Sequence, residues 1–391
     1  MARSMQALIN PAMLGWARAL MGLDLDYVAE KAKIAPDRLV QWETGGSSPT
    51  VAQLRKLARI YRFPIAVFYL PAPPDHKIPH PSDRRFLPGF EEEGPSPELS
   101  FEFRWADERR EIALELLTNI GVTPKRFDAE ASIRNTPEKL AMTIRGMLGI
   151  TYDDQTTWRD SRLAFNRWRE KLERLDVLVF QATEVPLQAM RGYSMFFDIL
   201  PIIGVNRRDT YNARSFTLLH EMTHLMLRIE SLCDMHEEGG ELSEPDKQIE
   251  VFCNSVAGCT LVPKSYFQRE EAIGPATQPG EDGDKAIRDL ARKYSVSREL
   301  IVRRMLTLGL VGESFYRSKR EQYHREYAIL PPPSGGFVHP AVDAVSSSGR
   351  SFVGLTLENL NRGFITTSDF SDFLRVKIKH LGRLQDSFLV A

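Results

Sequence analysis

Residues 214–227, Arg-Ser-Phe-Thr-Leu-Leu-His-Glu-Met-Thr-His-Leu-Met-Leu, constrain this chain more than any other stretch. The run is apolar enough to be a buried helix, yet it carries His220, Glu221 and His224. On an α-helix, positions i and i+4 differ by about 40° in azimuth, so both imidazoles point from one face toward one centre. Neutral imidazoles bind Zn²⁺ at about 2.0–2.1 Å, and a catalytic zinc takes three protein ligands and keeps one position for water. Glu221 then stands where a general base for that water is needed. A chance match is the competing explanation: with eight His in 391 residues, a random His-Glu-x-x-His arises about once in a hundred such chains.

Two histidines leave zinc one protein ligand short. Residues 230–250 hold eight acidic side chains and one Lys, a run that reads mostly as a solvated loop. Glu250 differs because it opens an apolar helical stretch, Ile249-Glu-Val-Phe-Cys-Asn-Ser-Val-Ala257. A carboxylate on the inner face of such a helix is costly to bury unless it is paired or bound to a metal. The alternative is an ordinary helix-start Glu, favoured by the helix dipole. One Zn²⁺ per chain, held by His220, His224 and Glu250, is the expectation.

Phe216-Thr-Leu-Leu-His-Glu-Met-Thr-His224, then Glu250-x-x-Cys-Asn254 and Leu261-Val-Pro263, resembles the ImmA/IrrE metallopeptidases. That resemblance implies His220, His224 and Glu250 as zinc ligands and Glu221 as the base. Arg191–Ser194 and Pro201–Asn206 resemble the family's strands bordering the cleft, where an edge strand could hold an extended peptide. Two positions depart from the family pattern: Thr223, where Gly or Ala is usual, and Cys253, where Ala is usual. Both side chains are small and leave the zinc motif intact.

Residues 10–70 read as a bundle of short helices. Asn10-Pro11 is a cap followed by Pro at the first helical position. Helices through Val28–Ala32 and Pro36–Glu43 are joined by a tight turn, and another follows Thr50. Tyr27-Val-Ala-Glu-Lys-Ala-x-Ile34, Leu39-Val-Gln-Trp-Glu-x-Gly45 and Pro49-Thr-x-x-Gln-Leu-x-x-Leu-Ala58 resemble the XRE, lambda-repressor-like, DNA-binding family. The resemblance places Pro36–Trp42 in the major groove of an operator, commonly with two copies reading two half-sites, hence a homodimer. Asp37, Arg38 and Gln41 are the candidate DNA-contacting residues, whereas Leu39, Val40 and Trp42 are expected to face the core. Arg suits guanine O6/N7 and Gln suits adenine N6/N7. Nine Lys/Arg against six Asp/Glu over residues 1–75 is a weak electrostatic signal, so a bundle used only for dimerisation or docking competes.

The remaining chain divides by composition. Residues 71–97, with eight prolines and Glu91-Glu92-Glu93, read as a semi-rigid linker whose Asp83-Arg-Arg-Phe86 could dock on the next domain. Helical spacing returns over Ala106–Ile120, Thr136–Met147 and Asp160–Arg174, and Val177–Phe180 is β-prone. Asp284–Leu310 reads as helix, turn, helix. It is expected to close the peptidase domain, with a second DNA reader as the rival. Pro331-Pro-Pro-Ser-Gly-Gly336 marks a boundary before a mildly basic helical tail, for which partner binding or dimerisation is the first expectation.

The expected fold class is therefore α+β and mostly helical. A lambda-repressor-like bundle (1–70) and a Pro-rich linker (71–97) precede a gluzincin-like metallopeptidase domain with a small sheet (98–330). A C-terminal helical module (337–391) follows. Three cysteines, a start unlike a signal peptide and no apolar run near 18 residues imply a cytoplasmic protein with no membrane contact. The resemblances together imply a DNA-binding regulator whose zinc endopeptidase cuts a repressor- or antitoxin-type protein. The alternative is a non-proteolytic antitoxin or repressor that uses the peptidase fold as a sensor or scaffold for a cognate toxin.

Overall fold

A computed structural model describes residues 5–74, 96–158, 160–229, 231–233, 244–329 and 338–389. Asp83–Phe86 and most of the Pro-rich linker lie outside these residues, as does most of the acidic run before Glu250. The chain forms two compact units, 1–108 and 109–391.

The first unit is a helical bundle. Its helices are α1 (Pro11–Leu20), α2 (Leu25–Ala32), α3 (Pro36–Glu43) and α4 (Val51–Tyr61). Asn10 accepts from the amide of Ala12, and Pro11 takes the first helical position. Lys33 turns the chain between α2 and α3 in the left-handed region (φ 53°). Thr50 and Gln53 exchange side-chain and backbone bonds in a capping box that starts α4. Met13, Leu14, Val28, Leu39, Trp42, Leu54, Leu57 and Phe68 form the core. Arg18 clamps the end of α3 through a two-pronged contact to Glu43, Nε–Oε1 2.8 Å and Nη2–Oε2 2.9 Å. A fork-on-fork pair of this kind fixes orientation as well as supplying energy.

In the second unit a four-stranded sheet has the order β1-β3-β2-β4: β1 (Leu178–Ala182), β2 (Gly192–Met195), β3 (Ile202–Asn206) and β4 (Ser231–Cys233). β1 runs parallel to β3, β2 antiparallel to β3, and β4 antiparallel to β2. Every residue of β1–β3 is buried, including the polar Gln181, Ser194 and Asn206. Gly204 faces Tyr193 across the β2–β3 pair, and a Cβ there would fall 2.0 Å from the tyrosine ring. The helix Tyr211–Leu227 lies against β2 and β3 and also packs on the helix Glu244–Leu261. One hydrophobic core joins these elements, from Val179, Ile203 and Val205 through Leu218, Leu219 and Met222 to Val256 and Ala257.

Helices Glu281–Tyr294 and Arg298–Thr307 form the helix-turn-helix expected over Asp284–Leu310, reversed at Ser295 (φ 53°). Ile301, Val302, Arg304 and Met305 of the second helix are buried. The Arg304 guanidinium donates to the carbonyl of Val262 (3.0 Å) and to Glu138 (2.6 Å). Arg298 pairs with Glu326 at 2.6 Å, and Arg303 covers the ring of Tyr316. Arg298, Arg303 and Arg304 of this helix thus each have a partner within the unit, Arg304 alone among them being buried.

The tail expected as a module of its own packs into the same unit as the sheet. Helix Pro340–Ser348 lies on β1, and helix Arg350–Asn361 on helix Ser161–Glu173. The contact is part apolar, with buried Phe352 edge-on to Phe180 of β1, and part polar. Arg169 and Glu173, a nearly buried pair (2.9 Å), take backbone partners from both the sheet and the tail, Arg169 donating to the carbonyl of Val179 in β1. Arg169 donates to the carbonyl of Ser346 (2.6 Å), and Glu173 accepts from the amide of Ser351 (3.1 Å). Gln181 of β1 donates to the same Ser346 carbonyl at 2.6 Å.

Candidate metal centre

Thr210 caps the helix Tyr211–Leu227 by accepting from the amide of Ala213. Arg214, in its first turn, is buried and donates to Gln181 of β1 (2.9 Å) and to the carbonyl of Asp209 (2.8 Å). These bonds tie the start of the helix to the sheet. The side chains from Thr217 to Met226 are all buried.

His220 and His224 bring their Nε2 atoms to 3.0 Å from each other. Glu250, on helix Glu244–Leu261, sets Oε2 3.3 Å from His220 Nε2 and Oε1 3.1 Å from His224 Nε2. The two imidazoles are 1% and 0% exposed, whereas the carboxylate is 23% exposed. These three ligand atoms lie within 4.8 Å of one another. Burial disfavours the charged form of Glu250, but His220 and His224 outweigh it and hold the carboxyl far below the usual range. Burial likewise opposes a charged His220; Glu250, Glu221 and Asn254 overcome it and raise its pKa.

The donor set fits a first-row divalent ion. Two ligands of a tetrahedral zinc at 2.0–2.1 Å stand about 3.3 Å apart, close to the separations here. His220 also has its second nitrogen engaged: Nδ1 lies 2.9 Å from Oδ1 of Asn254, one turn beyond Glu250. An acceptor at Nδ1 fixes the proton there and leaves Nε2 with its lone pair, turned toward His224 and Glu250.

Glu221 is fully buried. Its carboxylate lies at the start of β2, where a Cβ on Gly192 would stand 3.1 Å from Oε1 and 2.3 Å from Cγ2 of Thr217. Only glycine lets the strand pass this close to the helix. Thr223 and Cys253, the two departures from the family pattern, are both buried. Thr223 donates to the carbonyl of Leu219 (2.9 Å), and Cys253 sits in the core.

On α3, Asp37, Arg38 and Gln41 are exposed. Leu39 and Trp42 are buried, and Arg38 lies over the Trp42 ring at 5.4 Å. Val40 corrects the expectation. It is 41% exposed, because it lies about 100° round the helix from Leu39 and falls on the face of Asp37 and Gln41.

Asn254 and Gly192 stand within the sequence motifs without these roles, and Val40 reads there as a core residue. For Asn254 a signal was present, since it lies four residues after Glu250 and so on the same helix face.

Among known families, residues 172–306 match the peptidase M78 model, described as an IrrE N-terminal-like domain. Residues 14–68 match a helix-turn-helix model. No curated protein matches the chain. Among the described residues, no helix is long and apolar enough to cross a membrane. The chain joins an XRE-type helix-turn-helix domain to an ImmA/IrrE-like domain of the M78 peptidase family.

Proposed function

We propose that this DNA-binding regulator is also a zinc-dependent endopeptidase that cuts another regulatory protein, of the repressor or antitoxin type, at one site. The convergence of His220, His224 and Glu250 beside a buried Glu221 carries this reading. His220, His224 and Glu250 would hold the ion, which supplies a Lewis acid to the scissile carbonyl and to the attacking water. Asn254 keeps the proton of His220 on Nδ1. Glu221 takes the proton of the attacking water and delivers it to the leaving amine. A scaffold that only senses or binds has no use for a buried carboxylate at 221.

The DNA-facing half of the proposal rests on α3. Asp37, Arg38, Val40 and Gln41 share its exposed side, with Arg18 and Glu43 fixing its far end. Arg38 and Gln41 suit guanine and adenine edges, and Val40 suits a thymine methyl group. Two copies of the chain would read two half-sites of an operator.

The peptidase half is tested by expressing wild type and Glu221→Gln in the same cells and comparing protein N-termini by mass spectrometry. One new terminus that depends on Glu221 supports the proposal. Identical sets of termini, with both proteins folded and metal-loaded, reject cleavage and leave the scaffold reading.

A further inference from the structure

The outer edge of β2, the strand whose first residue lies against Glu221, is taken by the chain itself. β2 starts at Gly192, against the Glu221 carboxylate. One side of β2 bonds to β3 and the other to β4, with Gly192 opposite Cys233 and Ser194 opposite Ser231. The path into β4 is short. Helix Tyr211–Leu227 ends at Arg228 in the left-handed region (φ 58°), the amide of Ile229 bonds to the carbonyl of His224 (3.0 Å), and β4 begins at Ser231. The chain therefore leaves the last turn of the metal helix and runs along β2 toward Gly192. It reaches the level of the base at Cys233.

An extended peptide that adds to a sheet does so through the backbone of an edge strand. β3 already holds the inner side of β2, and helix Pro340–Ser348 packs on β1 at the opposite end of the sheet. The outer side of β2, whose first residue lies against Glu221, is the place for such a peptide, and β4 lies along it, antiparallel. Among the described residues β4 pairs with β2 at three positions, so few ladder bonds have to break there for a peptide to replace it. We propose that β4 is a stand-in for substrate: an extended peptide binds by displacing β4 from β2, so the resting chain blocks its own cleft. The proposal rests on the peptidase reading, since it assigns the substrate's seat.

The test measures binding in the full chain carrying Glu221→Gln, so nothing depends on turnover. β4 is released in two ways, by Leu232→Pro and separately by replacing Ser231, Leu232 and Cys233 with glycine. The probe is a fluorescein-labelled peptide copying residues 228–235 with Cys233→Ser, beside a scrambled control. Both variants should speed hydrogen exchange at the β2 amides. Both should also bind the copied peptide about tenfold or more tightly than the parent does, because the tethered strand competes at high effective concentration. Unchanged exchange at β2 in both variants overturns the proposal, as does equal or absent peptide binding across parent and variants. Failure of the peptidase reading would show separately, as the lack of any Glu221-dependent terminus in cells.

Discussion

Oδ1 of Asn254 lies 2.9 Å from Nδ1 of His220, one helical turn beyond the carboxylate that faces the same imidazole from its other side. A single helix thus both completes the donor set and orients one member of it. Asn254→Leu should weaken zinc binding about 10- to 100-fold in competition with a chelator, whereas Asn254→Asp, which restores an acceptor, should recover most of it. A merely structural role for Asn254 would lower the melting temperature equally in both variants and leave the zinc affinity of the folded protein unchanged.

The exposed face of α3 gives a second expectation. Arg38→Ala and Gln41→Ala should each weaken binding to the chain's own upstream DNA by about 1–3 kcal/mol, measured by fluorescence anisotropy. Gln41→Ala should leave the salt dependence unchanged, since a neutral side chain releases no counterion. Undiminished binding in the double variant would remove α3 as the reading helix.

Gly349 joins the two tail helices at φ +88°, where a Cβ would lie 2.5 Å from Oε1 of Glu173 and 3.2 Å from the carbonyl of Val179. Gly349→Val combines left-handed strain with overpacking against a buried ion pair, and should destabilise the second unit by about 2–4 kcal/mol. Thermal melting with limited proteolysis checks this: the tail should become cleavable first. A variant that melts like the parent, with an uncut tail, would mean that the 346–351 turn does not seat on Arg169 and Glu173.

Glu270 accepts from Lys293 (2.7 Å) and Tyr294 (2.9 Å), and also from Tyr152. Burial pushes its pKa up, but these donors outweigh burial and bring it below the ordinary 4.5. A carboxyl whose folded pKa is depressed stabilises above its unfolded pKa and loses that contribution as pH falls through the folded value. Glu270→Gln should therefore be less stable than the parent at pH 7, with the gap closing as pH drops below 4.5. Parallel stability curves down to acid pH would contradict this.

Much of this could be read before any coordinates, and the reasons differ by residue. His220 and His224 were legible because i, i+4 spacing is local geometry. Glu250 was legible because a carboxylate on an apolar helix face needs a partner, and the resemblance named it. Val40 was misplaced because an apolar residue in an eight-residue helix defaults to the core, while the helical period turns it outward. The seat of the tail was illegible: the Pro-Gly run at 331–336 suggests separation, and nothing in either stretch marks the contact between Gly349 and Glu173. β4 shows no alternation in its three residues, and its acidic surroundings read as a loop.

The most direct test of the account is the metal content of purified protein, by mass spectrometry of the elements, for wild type, Glu221→Gln and Glu250→Ala. The account predicts about one zinc per chain in wild type and Glu221→Gln, and loss of zinc from Glu250→Ala while the chain stays folded. A full complement of zinc in folded Glu250→Ala, or none in zinc-equilibrated wild type, would contradict it.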